Sequence, residues 1–262
     1  MRKRGKVYII AEAGVNHNGS FEIAEKLVEE AKKSGADAVK FQTFKPAMLA
    51  SQFAGKAQYQ KKTTRRNESQ LKMIEKLALT RKEHVALFEL CRKKHVDFLS
   101  SPFDKSSVDL LENLGVASYK IPSGEITNLP LLEYIAAKRK PLLLSTGMSN
   151  LGEVEDAVNV IFSAGNKDVT LLHCVTEYPA PYEEINLKAM LTMKSAFNLP
   201  VGYSDHTRGI EVSIAAAALG AEVIESEFRR SYLFLPHHAF LFSQGYIFFE
   251  PGKLLPVFFQ FP

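Results

Sequence analysis

Short apolar runs rich in β-branched and aromatic residues alternate along the chain with longer stretches whose apolar residues recur at helical spacing. Val7–Ala11 (VYIIA) predicts a first strand. Ser20 then caps a helix with an apolar face of Ile23, Ala24, Leu27 and Ala31, ending at Gly35. Ala36–Phe41 predicts the second strand. The polar stretch from Lys45 to Thr80, which contains QKKTTRR, is too long for a simple connection and fits a functional lid; its tail, Gln70–Leu79, has a helical pattern. From there the alternation is regular. The predicted helices Arg81–Lys94, Lys105–Leu114 and Leu129–Ala137 lead to strands Val96–Leu99, Ser118–Ile121 and Pro141–Leu144. Helices Gly152–Ala164, Ile185–Phe197 and Ile210–Leu219 lead to strands Val169–Leu172, Val201–Tyr203 and Ala221–Ile224. Eight strands separated by seven helices imply a parallel sheet closed into a (β/α)8 TIM barrel. An open doubly wound sheet is the alternative, and no glycine fingerprint after the first strand supports it.

The pattern predicts a barrel domain over residues 1–225 and breaks after it. Residues 226–262 hold nine of the chain's 18 phenylalanines, no aspartate, and Pro236, Gly245, Pro251, Gly252 and Pro256 within every candidate helix. The eighth helix of a barrel is therefore expected to be missing or replaced. The abrupt change of composition favours out-of-frame translation after about Glu225 over a lineage-specific cap. Without that helix, Ile23 and Leu27 on the first helix and Ile214 and Leu219 on the seventh should stand exposed.

Composition narrows the class. The 262 residues are 46% apolar and 24% charged, which excludes disorder for the bulk of the chain. A net charge of +4, spread along the sequence, gives no nucleic-acid footprint. Cys91 and Cys174 form neither a disulfide framework nor a zinc spacing, so a cytoplasmic protein is expected. The basic start MRKRGK is followed by too short an apolar run for a signal peptide, and no run reaches membrane-spanning length.

Barrel chemistry gathers at the C-terminal ends of the strands. In order those ends carry Glu12, Lys40 with Gln42, Ser100-Ser101, Lys120 with Ser123, Ser145-Thr146, His173, Ser204-Asp205-His206 and Glu225. Lys40 stands in or beside an apolar strand, so it needs a carboxylate such as Glu12 or an anionic ligand. Lys120 needs the same. Two lysines among serine hydroxyls suit a phosphate plus a carboxylate better than the single desolvated lysine of a Schiff-base aldolase, which is the other reading. His206, before a helix start capped by Thr207, suits a divalent metal, with Asp205 to ligate or orient it. His173 reads as a packed, hydrogen-bonded strand residue, and His17 in NHNG as part of the turn after strand one.

IIAEAGVNHNGS, ADAVKFQTF, FLSSPFD, YKIPSGEITN, LLSTGM, LLHCVTEYPAP and GYSDHTRGIEVSIAAAALGAEVIE resemble the bacterial sialic acid synthase family over about residues 6–225. The resemblance implies condensation of phosphoenolpyruvate with N-acetylmannosamine to give N-acetylneuraminate and phosphate. The alternatives are the same chemistry on a 2,4-diacetamido-trideoxy sugar (a legionaminate or pseudaminate synthase), or a non-catalytic truncated remnant. It implies Glu12 as the acid/base group, and Lys40, Ser101, Lys120, Ser123, Ser145, Tyr178 and Ser204 as phosphoenolpyruvate ligands. It also implies a divalent ion, manganese or magnesium, held by His206. The family places a second histidine where Glu227 stands here, and a carboxylate can also bind either ion. Two further features of the family, a Gly-Pro-Asp-His segment contacting the sugar and an antifreeze-like C-terminal domain swapped between the subunits of a homodimer, have no counterpart in this sequence. The expectation is thus a C-terminally incomplete chain that acts on small molecules, with no nucleic-acid or membrane partner.

Overall fold

The computed structural model describes residues 6–50 and 69–227. Eight parallel strands form one sheet: β1 (Tyr8–Gly14), β2 (Ala38–Thr43), β3 (Asp97–Pro102), β4 (Tyr119–Ile121), β5 (Leu142–Ser145), β6 (Val169–Cys174), β7 (Val201–Asp205) and β8 (Val223–Glu227). Their order, β3-β2-β1-β8-β7-β6-β5-β4, is that of a ring, and β3 lies against β4 to bring its two ends together. This is the predicted (β/α)8 barrel, not the open sheet. The helices are α1 (Phe21–Lys33), α2 (Pro46–Leu49), α3 (Gln70–Glu75), α4 (Arg81–Lys94), α5 (Lys105–Leu114), α6 (Leu129–Ala136), α7 (Leu151–Ser163), α8 (Lys188–Phe197) and α9 (Glu211–Ala218). Among the described residues no helix is long and apolar enough to cross a membrane.

Local chemistry explains where the helices begin. The Ser20 hydroxyl accepts from Ile23 N at the start of α1, and Asp104 does the same for Ser107 N at α5. Thr80 with Glu83, and Asn150 with Glu153, form reciprocal capping boxes at α4 and α7.

Two apolar layers follow from the period-two alternation of the strands. Outward residues such as Ala13, Val39, Phe41, Phe98, Tyr119, Leu144 and Leu171 pack against the helices. Inward residues Ile10, Ala38, Leu99, Leu143, Leu172 and Val223 form a separate plug inside the barrel. Gly202 belongs to that plug: a Cβ there would meet Val223 O at 2.4 Å and Leu172 Cδ2 at 2.7 Å. One pleat repeat further along, the inward residues are Glu12, Lys40, Ser101, Ser145, Cys174 and Glu225, mostly polar, so the plug is the floor of the site.

The structure corrects several expectations. The eighth strand runs to Glu227, two residues past the expected boundary, because Ala11 and Glu12 of β1 pair with Ser226 and Glu227. The remainder of the tail, 228–262, lies outside the described residues, as does 51–68 of the expected lid. Against the expectation, Leu27 is fully buried in the main core cluster and Ile23 is half-buried against it; Ile214 and Leu219 are 39% and 41% exposed, as expected. Thr207 does not cap a helix: its amide and hydroxyl both donate to Asp205 Oδ1, and α9 begins only at Glu211. Helix α8 begins at Lys188 rather than Ile185, after a separate 3-10 turn at Tyr182–Glu184.

Candidate active site

A cavity of about 140 Å3 opens above the plug, lined by Glu12, Lys40, Gln42, Ser101, Lys120, Pro122, Ser123, Ser145, Cys174, Tyr178, Ser204, His206, Glu225 and Glu227. That is well below the ~300–1,000 Å3 of pockets for drug-sized ligands, so it suits a small metabolite. The ten residues to which the family resemblance gives a role all line it: Glu12, Lys40, Ser101, Lys120, Ser123, Ser145, Tyr178, Ser204, His206 and Glu227.

Inward positions on successive strands deliver these groups. Glu12 on β1, Lys40 on β2, Ser101 on β3, Lys120 on β4, Ser145 on β5, Ser204 on β7 and Glu225 on β8 all stand beyond the plug. Lys40 Nζ lies 2.7 Å from Glu12 Oε2 and 3.8 Å from Glu225 Oε2, and donates to Ser101 Oγ at 3.4 Å. Lys120 Nζ lies 3.3 Å from Glu225 Oε1, to which Ser204 Oγ donates at 2.7 Å. The two ammonium groups therefore converge on one carboxylate, with both lysines almost wholly buried. Each lysine thus has the carboxylate partner that its burial requires, Glu12 and Glu225 for Lys40 and Glu225 for Lys120.

Glu225 is the central residue that sequence reasoning left out of the site. The signal was available: a carboxylate inside the apolar run AEVIE needs buried cations as partners. Gln42 and Cys174 were likewise missed as lining residues.

Burial and neighbouring charge set the protonation states. Burial pushes the Glu12 carboxyl up, and Glu225 adds to this against the pull of Lys40, so that it titrates at about 7. Glu225 is also buried, but Lys120, Lys40 and the Ser204 hydroxyl hold it ionised, well below the usual carboxylate range. Burial would lower both lysines; Glu12 and Glu225 overcome it at Lys40, whereas Lys120 stays below its ordinary value.

His206 is buried beside the Tyr178 ring, 4.3 Å between centroids, and Ser204 Oγ lies 3.4 Å from its Nε2. Burial keeps the imidazole neutral, and its Nδ1 has no hydrogen-bond partner. A neutral, unpartnered ring nitrogen in a cavity that also holds the Glu227 carboxylate fits a divalent ion. Among the described residues no cluster of three or more His, Cys, Asp and Glu side chains forms a metal cage, so such a site would be an open one.

The other strand-end groups lie apart from the cavity lining. Asp205 is not among the lining residues; its carboxylate accepts from Thr207 and from Ser213 Oγ of α9, tying the loop to the helix. His173 packs on Tyr203 and bonds to the Asn186 backbone. His17 is buried, its Nδ1 accepting from Gly19 N.

The model of the NeuB family matches residues 27–233. An N,N'-diacetyllegionaminic acid synthase from Campylobacter jejuni is 59% identical over 225 residues, covering 85% of this chain and 67% of the relative. A protein of the same name from Legionella pneumophila is 49% identical, covering 84% and 63%. The chain thus spans about two thirds of the length of these curated relatives. The crystal structure of an N-acetylneuraminic acid synthetase from Leptospira borgpetersenii in complex with citrate superposes with a TM-score of 0.75 at 34% identity, covering 85% of this chain and 73% of that one. Family match, sequence identity and barrel agree, and the chain belongs to the NeuB family.

Proposed function

We propose that this chain is the barrel of a cytoplasmic enzyme that condenses phosphoenolpyruvate with the open-chain aldehyde of an acetamido sugar. The observation that carries the reading is the pair of buried ammonium groups, Lys40 and Lys120, converging on Glu225 among Ser101 and Ser204. Such a cluster is suited to a small anion with phosphate and carboxylate groups. In the reaction, C3 of phosphoenolpyruvate bonds to the aldehyde carbon. Water adds at C2, and the C–O bond to phosphate breaks, releasing inorganic phosphate and a 2-keto acid.

Lys40 and Lys120 would neutralise the phosphoenolpyruvate charge, with hydroxyls of Ser101, Ser123, Ser145 and Ser204 bonding its oxygens. An anion beside Lys40 competes with Glu12 for the ammonium and favours the protonated acid. Glu12 would then hold the proton that the new alkoxide oxygen takes up. Tyr178 would line the same phosphoenolpyruvate pocket. His206 and Glu227 would hold a manganese or magnesium ion, which when bound supplies a Lewis acid for the aldehyde or the attacking water.

The relatives named above favour a 2,4-diacetamido-2,4,6-trideoxymannose as the sugar. N-acetylmannosamine, giving N-acetylneuraminate, is the second reading, supported by the Leptospira neighbour. The test is phosphate release from phosphoenolpyruvate with each sugar and manganese, the keto acid identified by mass spectrometry. Sugar-dependent release with the diacetamido sugar preferred supports the proposal. Release independent of any sugar refutes it.

A further inference from the structure

Behind the β2 and β3 ends of the cavity wall, on their outward faces, runs a buried chain of four polar groups. His84 Nδ1 lies 2.9 Å from Thr80 O, His84 Nε2 lies 2.9 Å from Thr43 Oγ1, and Thr43 Oγ1 lies 2.6 Å from Ser100 Oγ. Thr43, His84 and Ser100 are each at most 2% exposed. None of them lines the cavity, and the proposed chemistry uses none of them.

Only one arrangement of protons satisfies the chain. A carbonyl oxygen can only accept, so His84 Nδ1 carries a hydrogen and donates to Thr80. Burial disfavours the imidazolium, against smaller pulls from the bond to the Thr80 carbonyl and from Glu83 on the same helix, so the ring is neutral. Nε2 is then an acceptor, Thr43 donates to it, and Ser100 donates to Thr43. The relay runs in one direction, from β3 through β2 into the first turn of α4.

Its position gives it consequence. Thr43 follows Gln42, and Ser100 precedes Ser101; Gln42 pairs with Ser101 across the ladder, and both face the cavity. Ser101 in turn accepts from Lys40. Locking the outward side chains fixes the pleat, and so the direction in which the inward ones point. We infer that His84, as its Nδ1–H tautomer, is a positioning residue that holds Gln42 and Ser101 toward the cavity through Thr43 and Ser100. The inference rests on the function proposed above only for what the cavity binds.

The experiment uses the 262-residue chain, with Thr43→Val to break the relay, Thr43→Ser to keep it, and His84→Leu to remove its centre. Side-chain nitrogen NMR should show His84 neutral with its proton on Nδ1. The Gln42 side-chain amide signals should move in Thr43→Val and stay in place in Thr43→Ser. Phosphoenolpyruvate should bind about tenfold more weakly to Thr43→Val and His84→Leu, the scale of one charge-assisted hydrogen bond misplaced. Binding to Thr43→Ser should remain within about twofold of wild type, well inside that tenfold effect. If His84→Leu does not fold, the two Thr43 variants carry the comparison. A proton on Nε2, or unmoved Gln42 signals with unaltered binding in Thr43→Val, overturns the inference even if the variant melts earlier. No phosphoenolpyruvate binding by wild type, with the expected His84 and Gln42 signals, refutes the proposed function and leaves the positioning role supported.

Discussion

Glu225→Gln should be the most damaging single substitution in the cavity for the ligand-free protein. The carboxylate lies 3.3 Å from Lys120 Nζ and 3.8 Å from Lys40 Nζ. At an effective dielectric of ~20 each contact is worth about 4–5 kcal/mol of gross attraction. Desolvation of three ions offsets most of it, but the amide removes the attraction while both ammonium groups stay buried. Lys40 keeps Glu12 at 2.7 Å, whereas Lys120 loses the carboxylate 3.3 Å from its ammonium. Truncating one member of a buried ion pair costs about 3–5 kcal/mol. For a barrel of this size that lowers the melting temperature by about 6–20 °C. Urea denaturation at pH 7 measures the free energy directly. Lys120→Met combined with Glu225→Gln removes charge from both sides and should recover about 2 kcal/mol of the loss. Inorganic phosphate, by supplying the missing negative charge, should stabilise Glu225→Gln more than wild type. Equal stability of Glu225→Gln and wild type, or a loss unchanged by Lys120→Met, would refute the electrostatic reasoning.

Two further outcomes follow from the geometry. Gly202→Ala places a methyl against Val223 O and Leu172 in the plug and should destabilise the barrel by about 1–3 kcal/mol by overpacking; an unchanged urea midpoint would show that the plug yields. His17 titrates at about 4 because burial disfavours its charge, so the unfolded chain binds more protons below its ordinary pKa. Its contribution is complete above about pH 6.5 and is lost as pH falls toward 4. His17→Asn, which keeps an acceptor for Gly19 N, should flatten the decline in stability between pH 7 and pH 5; an identical slope in both proteins contradicts this.

The barrel was legible because alternation and capping are local. VYIIA, ADAVKF and VTLL read as strands without their neighbours, and Ser20 caps its helix through a residue three positions away. The cavity was legible for the same reason, since a lysine within an apolar strand announces a buried charge. Glu225 was overlooked because its partners, Lys40 and Lys120, are remote in sequence and meet it only when the ring closes. Thr207 misled because Asp205, two residues back, competes successfully for its amide and hydroxyl. Leu27 departs from the expectation because it lies fully buried in the main core cluster.

The central claim is that Lys40 and Lys120 form one binding site for phosphoenolpyruvate. Calorimetric titration of the 262-residue chain with phosphoenolpyruvate, beside Lys120→Ala, tests it most directly. The account predicts saturable one-to-one binding that Lys120→Ala weakens by at least ~1.5 kcal/mol, or about tenfold. Equal affinity in wild type, Lys120→Ala and Lys40→Ala would contradict it.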